Sequence, residues 1–357
     1  MKIAVAAGTR PEFVQIEPII REIKLRNIEY VFIHSGQHYD YEMDKIFFDE
    51  MSIPDPTHYL GVGSMTASSQ IGEIIRRSEP IFLREMPNIL LVTGDTNTAF
   101  ALSIAANKSK IQVGHLEAGM RSFDKSMPEE INRIVIDNIA DYCFSPTQRG
   151  IKNLIKSSID KNIFMVGDVM LDSIIHYREL VEQPSKILDS LSVEPNSYYL
   201  FTLHRESNTD NERRLKNILE SISSIHNPVI FPIHPRTKAR IQQFGIVIPD
   251  NIHVIPPAGY FEFLRLILNS KKILTDSGGV QKQAFFLSKP CITLRPNTEW
   301  IETVEQGWNV LVDDQKEKIE MAINDFHPRG DPNLFAFGNG ESAKKIIDIV
   351  EGIYSDS

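Results

Sequence analysis

Acid–base chemistry needs carboxylates or imidazoles whose ionisation ranges are held apart, and this 357-residue chain carries such groups directly after short apolar runs. The run ILLVT leads into Gly94-Asp95-Thr96-Asn97-Thr98, and the next run delivers Gly114-His115-Leu116-Glu117-Ala118-Gly119. Pro128-Glu129-Glu130-Ile131-Asn132-Arg133 then opens a helical pattern. Three strand or helix ends thus bring carboxylates toward one rim. Asp95 on its own reads equally well as a helix N-cap. The same carboxylates would also suit a divalent cation. HExxH, CxxC and EF-hand patterns are absent, so a metal site is the weaker reading and none is expected.

A second set of residues suits an anion. Gly8-Thr9-Arg10-Pro11-Glu12 places a guanidinium beside a helix start, with proline where it opens a helix well. The plainer alternative makes Gly8 a turn residue and Arg10 a surface charge. Further on, LFTL ends in His204-Arg205-Glu206 and IFPI in His234-Pro235-Arg236. Two histidines at equivalent strand ends, each near an arginine, point to anion recognition rather than to isolated structural histidines. The run KKILT is followed by Asp276-Ser277-Gly278-Gly279 and a helix, where paired glycines and free N–H groups would accept a diphosphate.

The elements that must position these groups alternate. Short β-rich runs at 3–7, 30–34, 89–93, 111–114, 142–145 and 163–166 are separated by amphipathic patterns such as 11–24. A second set lies at 199–203, 229–233, 252–255, 273–275, 291–294 and 310–312. The fold class is therefore α/β, with two parallel sheets of about six strands wound by helices, because one open sheet of twelve would exceed the usual limit of about ten. The seam falls between 167 and 198, where EQPSKILDSLSVEPNS is polar and proline-bearing. The expected domains are 1–168, joined by a C-terminal helix in 340–357, and 169–339. Residues 327–341 read as a loop and 341–353 as the last helix.

Composition excludes several classes. Lys plus Arg is 38 against 47 Asp plus Glu, a net charge of −9 that argues against gripping nucleic acid. The hydrophobic share of 42% and charged share of 24% are those of a globular chain, and no apolar run spans a bilayer. The apolar stretch at the N-terminus is too short for a secretory signal, so the cytoplasm is the expected location. The two cysteines, Cys143 and Cys291, sit in strand-like runs and read as core residues. GxGxxG does not follow the first strand and GxxxxGK[ST] is absent, so nothing supports NAD binding or a Walker-type ATP site.

Taken together, GTRPEF (8–13), GDTNT (94–98), HLEAGMRS (115–122), PEEINR (128–133), GDVMLD (167–172), HPRT (234–237) and TDSGG (275–279) resemble the non-hydrolysing UDP-N-acetylglucosamine 2-epimerases. The resemblance implies a glycosyltransferase-B-like fold of two Rossmann-like domains facing a cleft, the second binding UDP, with the C-terminal helix returning to the first. It implies reversible conversion of UDP-GlcNAc to UDP-ManNAc by elimination and re-addition of UDP through a 2-acetamidoglucal, without cofactor, in a homodimer. It assigns acid–base work to Asp95, Glu117 and Glu129 with His204. Arg10, His204 and Ser277-Gly278-Gly279 would take the diphosphate and Phe263 the uracil, with Arg205 and His234 also expected to bind substrate. Gln283 stands where a ribose-contacting glutamate is usual. The chain also departs from the bacterial pattern at Gln15, usually lysine, at Trp300, often arginine, at Ala258, often glutamine, and at Glu206, one place earlier than the usual acidic residue. MPEEINR and TEWIE are similar to a branch acting on UDP-2,3-diacetamido-2,3-dideoxyglucuronic acid, which is the alternative substrate, and also to archaeal-type GlcNAc epimerases. A glycosyltransferase of the same fold and a non-catalytic UDP-sugar sensor are weaker alternatives.

Overall fold

The computed structural model describes residues 1–37 and 41–355. It divides into two compact units, Met1–His176 with the C-terminal stretch from Leu334, and Tyr177–Asn333. The chain passes between them inside the helix Val169–Glu182.

The first unit holds a parallel sheet of β1 (Lys2–Ala7), β2 (Glu29–His34), β3 (His58–Tyr59), β4 (Ile89–Thr93), β5 (Gln112–Leu116), β6 (Tyr142–Ser145) and β7 (Ile163–Met165). Its order is β3-β2-β1-β4-β5-β6-β7. All five residues of β4, ILLVT, are buried, as in a strand covered on both faces. The sequence pattern does not show β3, because a two-residue strand carries no periodicity. It also ends β5 too early: the strand runs on through His115 and Leu116.

The helix Arg10–Leu25 buries Phe13, Ile16, Ile20 and Ile23, one apolar stripe at helical spacing. Pro18 lies inside it and has no N–H to give to the carbonyl four residues back. That carbonyl, Val14 O, accepts from Ser173 Oγ at 2.7 Å instead, so the break in the ladder becomes an anchor for the helix Val169–Glu182. The final helix, Ser342–Ser355, starts where Asp172 Oδ2 accepts the Ala343 N–H at 2.7 Å. It packs on the helix Arg10–Leu25, and Arg26 reaches Asp348 at 2.7 Å and Glu351 at 2.5 Å. Tyr354 Oη donates to the carbonyl of Asn88 at 2.9 Å and contacts the Gln112 side chain.

The second unit holds β8 (Tyr199–Thr202), β9 (Val229–Pro232), β10 (Ile252–Ile255), β11 (Lys272–Thr275), β12 (Cys291–Thr293) and β13 (Asn309–Leu311). They run parallel in the order β10-β9-β8-β11-β12-β13. Phe201, Phe231, Leu215, Ile218 and Leu274 are completely buried in its core. Lys272 Nζ is buried too, and donates to Ala322 O at 3.2 Å and Ile323 O at 2.7 Å, carbonyls of the last turn of the helix Lys316–Asp325. Cys143 and Cys291 are free, buried thiols, each pushed up to about 12 by burial, so neither is a nucleophile.

Each sheet reverses its strand order once, between β1 and β4 in the first and between β8 and β11 in the second. At such a switch point the flanking helices diverge to opposite faces and leave a crevice beyond the carboxyl ends of the strands. Both units are therefore Rossmann-like. Among the described residues, no helix is long and apolar enough to cross a membrane.

Candidate active site

In the first unit, the turn after β1 and the turn after β4 flank the switch point, and Glu12 ties them together. Its Oε2 accepts the Gly8 N–H at 2.8 Å and the Thr9 hydroxyl at 2.9 Å. Its Oε1 accepts the Thr96 hydroxyl at 2.6 Å. Glu12 is 2% exposed, and burial pushes its carboxyl up to about 7 even though these donors pull it down. The sequence pattern lists Glu12 only as part of GTRPEF. Its brace depends on β1 and β4 being neighbours, which the sequence does not reveal.

Asp95 is not the N-cap of the helix Asn97–Lys108. Thr96 is, with its Oγ1 accepting the Ala99 N–H at 3.0 Å. The Asp95 carboxylate instead meets Arg133 at 2.6 Å, and Asn132 Nδ2 donates to the Asp95 carbonyl at 2.8 Å. PEEINR therefore supplies more than Glu129: its Asn132 and Arg133 reach across to the β4 turn. Of the two adjacent glutamates, Glu130 is buried and accepts from Ser122 N at 2.8 Å and Ser122 Oγ at 2.9 Å. Glu129 stays half-buried in the first turn of the helix Pro128–Ile139.

Glu117 follows β5 with a φ of 64°, a left-handed conformation uncommon for a residue with a side chain and typical of functional turns. It is buried, and Gln15 Nε2 donates to its Oε1 at 2.6 Å. Beneath this turn, His115 Nε2 lies 2.8 Å from the Gly94 carbonyl and Nδ1 2.6 Å from Asp137 Oδ1. Arg121 sits 2.6 Å from Asp137 Oδ2. Burial alone would raise the Asp137 carboxyl, but the His115 and Arg121 charges outweigh it and leave the group lowered. Both His115 nitrogens thus face acceptors, and the ring clamps the end of β4 to the start of the helix-borne network. Arg10, in the first turn of its helix, lies over the Phe47 ring at 5.4 Å.

In the second unit the turns after β8 and β11 also flank the switch point. Asp276 is completely buried and accepts from His204 N at 3.1 Å, Arg205 N at 2.9 Å and Asn208 Nδ2 at 3.1 Å. These bonds fix the turn that carries His204 and Arg205, both half-buried. The His204 ring lies 5.9 Å from that of His234, which caps the helix Pro235–Gln243 by accepting the Arg236 N–H at 3.2 Å through Nδ1. Arg236 itself pairs with Glu206 and Asp210. Ser277 caps the helix Gly278–Phe286, and Ser277, Gly278 and Gly279 are all part-exposed. The approach at Gly278 is close: a Cβ there would lie 3.2 Å from Trp300 Nε1, a tight contact. The Lys282 ammonium, buried one turn along the same helix, stands 4.1 Å from the Trp300 ring centroid. Gln283 is buried, whereas Phe263 is half-buried near the start of the helix Tyr260–Asn269.

The structure thus brings Arg10, Asp95, Glu117 and Glu129 to one unit, and His204, Arg205, His234, Phe263, Ser277, Gly278, Gly279 and Gln283 to the other. Among the described residues no group of three or more His, Cys, Asp or Glu side chains is placed to hold a metal ion.

The chain is 46% identical to a UDP-N-acetylglucosamine 2-epimerase homolog of Methanococcus maripaludis, over 99% of this chain and 100% of that one. It is 37% identical to the UDP-2,3-diacetamido-2,3-dideoxy-D-glucuronate 2-epimerase of Pseudomonas aeruginosa, over 98% and 99%. The crystal structure of Methanocaldococcus jannaschii UDP-GlcNAc 2-epimerase in complex with UDP-GlcNAc and UDP superposes with a TM-score of 0.93 at 43% identity, covering 98% of this chain and 99% of that one. With the family profile described as UDP-N-acetylglucosamine 2-epimerase matching residues 21–351, the chain belongs to the UDP-N-acetylglucosamine 2-epimerase family and is an isomerase of glycosyltransferase-B-like fold.

Proposed function

We propose that this enzyme interconverts UDP-GlcNAc and UDP-ManNAc without a cofactor. The observation that carries the reading is the set of carboxylates at the first switch point, with Asp95 braced by Arg133 and Glu117 by Gln15. The sugar C2 proton has no adjacent carbonyl, so direct abstraction would be slow. Elimination avoids the problem. The C1–O bond to UDP breaks with its electron pair, a carboxylate takes the C2 proton, and the C2–H electrons form the C1=C2 bond of a 2-acetamidoglucal. A proton then returns to the other face of C2 as the UDP oxygen re-forms the bond to C1. Asp95, Glu117, Glu129 and His204 share the proton transfers. Arg10, Arg205, His234 and the Ser277-Gly278-Gly279 helix start stabilise the departing diphosphate. Phe263 takes the uracil and Gln283 the ribose, both in the second unit. The working form is a cytoplasmic homodimer.

The test is proton NMR of UDP-GlcNAc incubated with the enzyme in D2O. UDP-ManNAc carrying deuterium at C2 is the expected product. Release of free ManNAc and UDP, or transfer of sugar to an acceptor with no exchange at C2, refutes the reading, and UDP binding with no turnover at all would leave a sensor.

A second substrate is suggested by one relative: the 37% identical Pseudomonas protein is a UDP-2,3-diacetamido-2,3-dideoxy-D-glucuronate 2-epimerase. Competition between the two UDP-sugars separates them, by which one the enzyme turns over with the higher kcat/KM.

A further inference from the structure

A carboxylate that takes and returns a proton in each turnover must be ionised in one half-reaction and protonated in the other. A hydrogen-bond partner that suits only one of those states opposes the other. Gln15 suits both. Its Nε2 donates to Glu117 Oε1 at 2.6 Å, and its Oε1 accepts the Thr93 hydroxyl at 2.8 Å. Gln15, Glu117 and Thr93 are all buried. With Glu117 ionised, the amide NH2 faces the carboxylate and Thr93 donates to the amide oxygen. With Glu117 protonated, a half-turn of the amide presents its oxygen to the new O–H and its NH2 to the Thr93 oxygen, since a hydroxyl donates or accepts with equal ease. The chain of three keeps every bond in either state, so neither leaves a buried polar group unpaired. An ammonium at position 15 has donors only and would match the ionised state alone.

We propose that Gln15, together with Thr93, is a positioning residue that pairs with Glu117 in both of its protonation states and keeps that proton exchangeable during turnover. This rests on the reading that Glu117 is an acid–base group of the epimerase. Charged groups carried by the surrounding elements are Arg10 and Glu12 on the first helix, Asp95 after β4, His115 and Arg121 on either side of Glu117, and Glu129, Glu130, Arg133 and Asp137 on the helix Pro128–Ile139. None of them changes when position 15 or 93 is varied, so any shift reads the group placed at position 15 or 93.

The experiment titrates the Glu117 carboxylate by 13C NMR, assigned by its loss in Glu117→Gln, in the wild type, Gln15→Lys, Thr93→Val and Thr93→Ser. The kcat–pH profile of C2 exchange is measured on the same proteins. Gln15→Lys is expected to lower the Glu117 midpoint by about one pH unit or more, because a cation replaces a neutral donor. The same change is expected to cost about tenfold in kcat with little change in KM, since the protonated state loses the acceptor at position 15. Thr93→Val should lower kcat severalfold and Thr93→Ser should restore it. An unmoved midpoint and a superimposable pH profile in Gln15→Lys would overturn the proposal. The titration needs no substrate, so a wild type that fails to exchange C2 refutes the epimerase reading while the midpoint still judges the pairing. Circular dichroism checks folding, and if Gln15→Lys unfolds, the Thr93 pair carries the same test.

Discussion

Glu12 gives the sharpest expectation for stability against pH. Its carboxyl is completely buried and rises from 4.5 in the unfolded chain to about 7 in the fold. The folded state therefore holds a proton that the unfolded state gives up, and its stabilising effect, full below pH 4.5, is lost as pH rises through 7. With 1.36 kcal/mol per pH unit, the two ionisation curves place the loss between pH 5 and pH 8 at roughly 2.5 kcal/mol. Glu12→Gln removes the ionisation while keeping an oxygen for the Gly8 N–H and an amide for Thr96. Urea unfolding followed by far-UV circular dichroism at pH 5 and pH 8 measures the difference. Both tryptophans, Trp300 and Trp308, lie in the second unit, so their fluorescence serves as an internal reference for a transition that Glu12 does not touch. The wild type should lose stability relative to Glu12→Gln as pH rises. A constant difference between the two proteins, or one that grows in favour of the wild type at pH 8, would refute the burial argument.

Three further outcomes are expected. Asp95→Asn keeps the Arg133 contact as a neutral one but cannot exchange a proton, so C2 exchange should fall about 10²- to 10⁴-fold, measured by deuterium incorporation, with UDP affinity by calorimetry largely kept. Gly119→Ala would put a Cβ 2.2 Å from the Gly150 carbonyl oxygen at a φ of 81°, and this backbone clash should cost about 3 kcal/mol or more, seen as a lowered urea midpoint. Arg26→Ala removes the ties to Asp348 and Glu351, partners that are half in solvent, so the last helix should loosen by only about 1 kcal/mol, read as faster amide exchange in Ser342–Ser355 with activity unchanged.

Residue types and local periodicity already carried the strands, the helix starts and the polar strand ends, because a strand buried on both faces must read as a short apolar run. ILLVT, the Pro11 helix start and the SGG turn are legible for that reason. The small strand β3 was not, and neither was the length of β5, since His115 looks polar in sequence while its ring is satisfied inside the core by Asp137 and the Gly94 carbonyl.

Motif order along the chain was likewise enough to point to the family. Neighbour relations were not available from it. Only the tertiary structure sets β1 beside β4 and β4 beside β5, and these adjacencies make Glu12 a brace, turn Asp95 from a cap into the partner of Arg133, and bring Gln15 to Glu117 across 102 positions of sequence. The physical reason is that sheet order is decided by long-range burial and crossover handedness, whereas a sequence window registers only the period of each element and the chemistry at its ends.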